Sequence, residues 1–396
     1  MTLAITNAHV VPVDGAPFEG TVLVDEGRIT ALGADITVPD GAEVVDARGQ
    51  WVLPGLIDAH VHLGVWEEGE GWAGQDTNEM TDPVMAAARA LDGINPREQG
   101  FDDALGGGIT SVNVNPGSGN PIGGLTVAVK TYGRYVDEMV LRSPSGLKAA
   151  LGENPKRVYG EQKKTPSTRM GVALILRKAF TEARNYLEKT AKGTEEGEYA
   201  EGHLVNQALV QVLNREIPWR QHCHRADDIA TAIRIAEEFG YQLVLDHGTE
   251  SYKVADLVAE KGVPVLYGPL IVSRSKVEVR DRSAKAPGIL DRAGVAVSII
   301  TDHPVVPIEH LTTQVALAVR EGMDRDAALR SVTLNPARVM GVDDRVGSLT
   351  PGKDADLVLW SGDPLDLQSR ALRVWIDGRE VYTYDSETGE GSVRPR

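Results

Sequence analysis

The chain has 396 residues, 42% hydrophobic and 25% charged, a globular mix long enough for one large and one smaller domain with no disulfide or structural metal needed to fold. A formal net charge of −16 with no Lys/Arg cluster argues against nucleic acid and anionic membranes as partners. The single cysteine, Cys223, excludes an internal disulfide; residues 1–13 show no leader pattern and no apolar run is long enough to span a bilayer, so the expected location is cytoplasmic.

Residues 3–12 read as a strand, and 21–25 with 27–33 as a hairpin; 44–46 and 51–53 continue the β pattern. From residue 54 the rhythm changes to strand-like runs that end in polar residues and alternate with helical patterns. Residues 109–114 and 147–151 read as strands, 168–189 as a helix. A strand leads into His224. A helix follows over 227–239, opening on Asp227 and closing before Gly240. Further β runs at 243–245, 263–267 and 295–300 are separated by helices around 252–261 and 286–293. Such alternation predicts a parallel sheet, and eight units close a barrel in roughly 250 residues. After Met340 the β pattern returns at 355–360, 372–377 and 378–382, before a polar tail over 385–396. The predicted fold is therefore α/β: a (β/α)8 TIM barrel over 54–345, with a small β-sandwich domain formed by both termini, 1–53 and 346–396.

Barrel active sites lie at the C-terminal strand ends, so polar residues closing apolar β runs are the ones to inspect. Asp58-Ala-His60-Val-His62 follows one such run. His222-Cys223-His224 follows another, with Asp227 three residues on. Asp246-His247 closes 243–245, and Thr301-Asp302-His303-Pro304 closes the run to Ile300. Imidazole at i and i+2 of a bent strand end suits one metal ion, and imidazole with carboxylate suits zinc, iron, manganese or nickel. Any one pair has an incidental reading; four such strand ends in a chain of nine histidines do not. His9, His203 and His310 read as structural or surface residues. A fifth place, Ser145-Gly-Leu-Lys148-Ala-Ala-Leu-Gly-Glu153, offers two candidates. Glu153 ligates unmodified and is preferred; Lys148 ligates only after carboxylation, and its alternative is a solvated or ion-paired lysine. The Gly- and Asn-rich stretch 113–124 reads equally as an anion-facing loop or a plain turn. Asn115 and Tyr267 are candidate substrate contacts, a half-buried aromatic being the alternative for Tyr267. Trp66, Trp72 and the acidic 67–70 read as a lid or a surface loop, and Arg169 as one half of an ion pair.

These residues resemble the amidohydrolase superfamily. Pro54-Gly-Leu-Ile-Asp-Ala-His60-Val-His62 resembles its first-strand signature, and Gly347-Ser-Leu-Thr-Pro-Gly-Lys-Asp-Ala-Asp-Leu-Val-Leu-Trp360 the returning β segment of its composite domain. The branch most resembled is that of imidazolonepropionase and metal-dependent prolidases. The resemblance implies that His60 and His62 bind the first metal, with His224 (or His222 in its place), His247 and Asp302 as further ligands. It implies one or two divalent ions, zinc first among them. Lys148 resembles the carboxylated lysine of urease-like and dihydroorotase-like members; Glu153 resembles the glutamate of N-acetylglucosamine-6-phosphate deacetylases. Asp227 stands where deaminases carry Glu. The implied reaction is hydrolysis of an amide or cyclic amide in a small-molecule substrate, with Asp302 moving the proton and His247 orienting the carbonyl. The alternatives are a heterocycle deaminase and a catalytically silent barrel serving in assembly. Homo-oligomers are common among such proteins.

Overall fold

The computed structural model describes residues 2–195 and 202–396. The N-terminal strands are β1 (Leu3–Val10), β2 (Phe18–Asp25), β3 (Arg28–Gly33), β4 (Glu43–Asp46) and β5 (Trp51–Pro54). The next eight form a second sheet: β6 (Leu56–Val61), β7 (Ile109–Val114), β8 (Ile122–Lys130), β9 (Val140–Ala150), β10 (Trp219–Cys223), β11 (Leu243–His247), β12 (Val265–Tyr267) and β13 (Val297–Ile299). The last four, β14 (Leu357–Trp360), β15 (Ala371–Ile376), β16 (Arg379–Asp385) and β17 (Glu390–Val393), return to the first sheet, where β14 pairs antiparallel with β5. One sheet thus joins both ends of the chain, and its core is an apolar cluster that includes Ile5, Val22, Val52, Leu357 and Trp375.

Every residue of β6, β7, β8 and β10 to β13 is buried. Strands covered on both faces favour apolar runs, as in β8, and the polar residues of β7 and β10 are buried all the same. The sheet is nearly closed: beyond β13, Asp302 N donates to His60 O (3.2 Å) and His62 N to His303 O (2.9 Å), tying the last strand end to the first. Helices flank it. In Ala226–Phe239, Ile229, Ile233 and Ala236 turn inward, and Gly240 stops the helix at φ 78°, a left-handed conformation that glycine adopts without a Cβ clash.

One feature departs from a uniformly parallel sheet. β8 runs antiparallel to both β7 and β9, whereas the remaining neighbours pair parallel. Reversal has two consequences. The segment before β8 lies at the ligand-bearing end of the barrel. The far end of β8 delivers Lys130 to the opposite side, where Nζ reaches Asp354 (2.8 Å), Asp356 (3.0 Å) and Asp377 (2.7 Å) of the terminal segment. A buried lysine among three carboxylates fastens the barrel to the sheet made from the chain ends.

Candidate metal centre

The end of β6 carries His60, His62 follows it directly, and Asp302 follows β13. The hydrogen bonds that close the barrel bring these segments together. Asp302 Oδ1 lies 3.3 Å from both His60 Nε2 and His62 Nε2, so three ligand atoms converge within 4.8 Å of one another. His247 closes β11 with φ 70°, and Asp302 has φ 55°; both adopt a left-handed backbone that aims the side chain into the barrel mouth. The His247 ring centroid is 4.9 Å from His60 and 5.1 Å from His224, and that of His222 is 4.5 Å from His247.

The histidines are held from behind. His62 Nδ1 meets Asn115 O at 2.8 Å, His247 Nδ1 meets Gly268 O at 2.8 Å, and His224 Nδ1 meets Thr249 Oγ1 at 2.8 Å. Donation from Nδ1 leaves the Nε2 lone pair facing inward, the usual arrangement of a metal-binding imidazole. His60 is backed differently: Nδ1 lies 3.0 Å from Asp246 Oδ2, and Asp246 Oδ1 accepts from Arg220. His60 Nε2 and His224 Nε2 are buried and have no hydrogen-bond partner. Inward-facing nitrogen lone pairs beside a carboxylate are a donor set that fits a divalent ion.

The electrostatics agree. Burial, then the proximity of His247, holds His222 and His224 well below the usual imidazole range, and burial pulls His247 down to about 3. These rings are therefore neutral at pH 7. Burial works against ionising Asp302, but His247, His60 and His62 outweigh it and keep the carboxyl well below the usual range. Lys148 is wholly buried; desolvation lowers it to about 8 against the opposing pull of Asp246 and Asp302. Its Nζ donates to Ser118 Oγ (3.1 Å) and Pro116 O (3.3 Å).

His60, His62, His224, His247 and Asp302 thus come together, and Lys148 lies within electrostatic reach of this set. His222 belongs to the ring cluster, but its Nδ1 meets Ser118 Oγ (2.9 Å) and its Nε2 faces Asn154 Nδ2 (3.4 Å). Glu153 opens the helix Glu153–Glu161, and the charge it acts on is Lys276. Asn115 contributes its backbone oxygen, while its side chain bonds Asn113. Tyr267 directs its hydroxyl to Thr249 O and Ser283 O. Asp227 pairs with Arg225, and Arg169 with Asp228 and Glu278. In the 113–124 stretch, Ser118 touches His222 and Lys148, and Asn120 fastens Glu79 O, Asp82 O and Tyr159. Trp72 is exposed. His9 pairs with Glu19, His203 caps the helix Leu204–Leu213, and His310 is on the surface.

Sequence reasoning gave no role to Arg220, Asp246 or His303. His303 is buried and forms a second group with Glu68 and Glu98 whose ligand atoms lie within 4.8 Å of one another. Its Nδ1 accepts from Ile308 N (3.2 Å), so the neutral ring carries its proton on Nε2, which suits a donor better than a metal ligand.

Comparison with known proteins accords with this geometry. The Amidohydrolase family model matches residues 51–384. Amidohydrolase tasK of Hapsidospora irregularis is 30% identical over 386 residues, covering 91% of this chain; the chain spans 39% of that protein. An imidazolonepropionase of Mesorhizobium japonicum is 23% identical over 374 residues, covering 86% of each chain. The crystal structure of an amidohydrolase from Thermotoga maritima superposes with a TM-score of 0.94 at 48% identity, covering 96% of this chain and 99% of that one. Two histidines at the end of the first barrel strand, an aspartate after the last, and a family match across both barrel and terminal sheet lead to one conclusion: the chain belongs to the amidohydrolase family, hydrolases that act on carbon–nitrogen bonds.

Proposed function

We propose that this enzyme hydrolyses an amide or cyclic amide bond of a small molecule at a divalent metal centre held by His60, His62 and Asp302, with His224 and His247 completing the donor set. The observation that carries the reading is that His60 Nε2 and His62 Nε2, on rings held from behind by Asp246 and Asn115 O, both lie 3.3 Å from one part-buried carboxylate oxygen of Asp302. When bound, a divalent ion (zinc first, with iron, manganese and nickel also suited to the ligands) supplies Lewis acidity and makes water acidic near neutral pH. Asp302, ionised at pH 7, takes the water proton and returns it to the leaving nitrogen. His247, neutral and fixed by Gly268 O, orients the scissile carbonyl.

For the remaining ligand the geometry favours Lys148 over Glu153. A wholly buried lysine near pKa 8 keeps some free amine, whose nitrogen would add to carbon dioxide with loss of one proton to water; the resulting carbamate would offer an anionic oxygen to a second ion. Glu153 instead opens the helix Glu153–Glu161, where Gly152 at φ 83° turns the chain away from β9. The pairing of Asp227 with Arg225 weighs against the deaminase alternative, which needs an acid at that position turned inward.

The test is Asp302→Asn assayed on a panel of N-acyl amino acids and cyclic amides. Turnover should fall by about 10²–10⁴-fold with circular dichroism unchanged. A variant that works at the wild-type rate refutes the assignment.

A further inference from the structure

We propose that Lys276, on the loop after β12, binds a carboxylate on the substrate, so that the site is built for acylated amino acids or cyclic amides carrying a carboxylate near the scissile bond. The assignment rests on the amide-hydrolase reading of the metal centre and adds the feature that selects among amides.

Lys276 is half-buried, and a chain of contacts runs from it to the centre. Its Nζ donates to Asn154 Oδ1 at 3.0 Å. With that oxygen accepting, the Asn154 amide group faces His222 Nε2 at 3.4 Å, and His222 Nδ1 meets Ser118 Oγ at 2.9 Å. The charge of Lys276 acts on His222 and on His224, and Asp302 acts on Lys276 in return. The ammonium therefore stands on the rim of the metal centre, on the side where His222 and His224 lie.

Among the described residues Lys276 has no close counter-ion and a single protein hydrogen bond, whereas the ammonium of Lys148, also without a carboxylate within 4.0 Å, is held by Ser118 Oγ and Pro116 O. Lys130, a buried lysine, has three carboxylates between 2.7 and 3.0 Å. Lys276 has none within 4.0 Å among the described residues; Glu278, Asp302 and Glu153 act on it only from farther away. One neutral amide oxygen takes one of its three N–H donors. Burying an ammonium in this way is unfavourable unless an anion completes the site, since the desolvation cost is met only by close pairing. A strut between the loop and Asn154 needs no charge, because a neutral donor serves equally. An anion arriving with the substrate explains both the charge and its incomplete satisfaction. The carboxylate then sits at the Lys276 rim while the scissile bond lies toward Asp302, which fixes the direction in which the substrate enters. An uncharged amide loses that anchor.

The test measures binding to the full-length, metal-loaded Asp302→Asn protein, in which turnover is blocked, using matched pairs: the N-acetyl derivatives of L-proline, L-methionine and L-phenylalanine, each as the free acid and as the C-terminal carboxamide. At least one acid should bind about 10- to 100-fold more tightly than its carboxamide, the range for a hydrogen bond to a charged group. Adding Lys276→Met, which keeps the aliphatic stem, should bring that ratio close to one; Lys276→Arg should keep most of it. A purely structural role for Lys276 moves stability and leaves the ratio alone. No preference for any acid, including no binding at all, or a preference that survives Lys276→Met, overturns the assignment. Wild-type hydrolysis of the same compounds reads the other claim separately: preferential binding of the acids with no hydrolysis of any compound sinks the hydrolase reading and leaves Lys276 as an anion site.

Discussion

Asp246 supports the centre without touching it, and its removal has a calculable cost. Asp246 and Arg220 are both fully buried. Asp246 Oδ1 accepts from Arg220 Nε and Nη2, each at 3.1 Å, and Oδ2 lies 3.0 Å from His60 Nδ1. Beyond Asp246, the guanidinium has Ala59 O, 2.8 Å from Nη2, while Nη1 has no partner. Asp246→Ala leaves an unpaired charge in the barrel interior, which costs about 3–5 kcal/mol. Changing both partners, Asp246→Ala with Arg220→Met, removes the stranded charge and should recover most of that loss. Urea unfolding of the metal-free proteins, followed by circular dichroism, isolates this term from metal binding. The pH dependence has a definite sign. Burial opposes ionisation of Asp246, yet Arg220 and His60 hold its carboxyl below the usual range. Its contribution is therefore complete above the ordinary aspartate value of about 3.9 and is lost only at more acidic pH. The deficit of Asp246→Ala should be constant from about pH 5 to 8. In metal titrations the same variant should bind about 10- to 100-fold more weakly, because His60 loses its orienting partner. A single variant within about 1 kcal/mol of wild type, or a double variant no more stable than the single one, refutes the reasoning.

Two further outcomes follow from the same geometry. Lys130→Met leaves Asp354, Asp356 and Asp377 without their shared cation and should cost about 3–5 kcal/mol at neutral pH. Burial raises the Asp356 carboxyl to about 6 even though Lys130 pulls it down; without Lys130 it rises further, so the Lys130→Met deficit should shrink as pH falls toward about 6 and level off below it, read as a urea midpoint against pH. Gly268→Ala places a Cβ against Ile300 O at φ 151° while the Gly268 carbonyl holds His247; it should cost about 1–3 kcal/mol and weaken metal binding about 10- to 100-fold, and unaltered metal binding contradicts the anchoring role of that carbonyl.

The clustering of histidines was legible because a strand end at the barrel mouth must present polar residues, and His60-Val-His62, His222-Cys-His224 and Asp246-His247 each fall at the end of a β run. The terminal sheet was legible from its period-two alternation at both chain ends. The direction of β8 was not: Ile122–Lys130 is buried throughout, and an apolar run states that a strand is covered on both faces, not which way it points. No helix separates β8 from β9 beyond the four residues Val136–Met139, and only pairing decides that β7, β8 and β9 fold as an antiparallel meander. Lys148 and Glu153 are five positions apart, and sequence spacing alone favoured the unmodified carboxylate. Pairing with β10, where Lys148 stands opposite Arg220, is what puts the lysine inside the barrel, whereas Gly152 at φ 83° starts a new direction and sends Glu153 into a helix. Arg220 and the role of Asp246 were passed over because a buried charge pair on two neighbouring strands, 26 residues apart in sequence, leaves no local pattern. Lys276 lies on a loop without a motif and acquires its place only through Asn154.

The most direct test of the central claim is the number of metal ions per chain, measured by elemental analysis after reconstitution, on wild type, Lys148→Ala and Glu153→Gln. Wild type should hold about two divalent ions, Lys148→Ala fewer, and Glu153→Gln an unchanged content. Metal lost with Glu153 and retained without Lys148 contradicts the ligand assignment, and a wild-type chain that binds no metal contradicts the proposed hydrolytic centre itself.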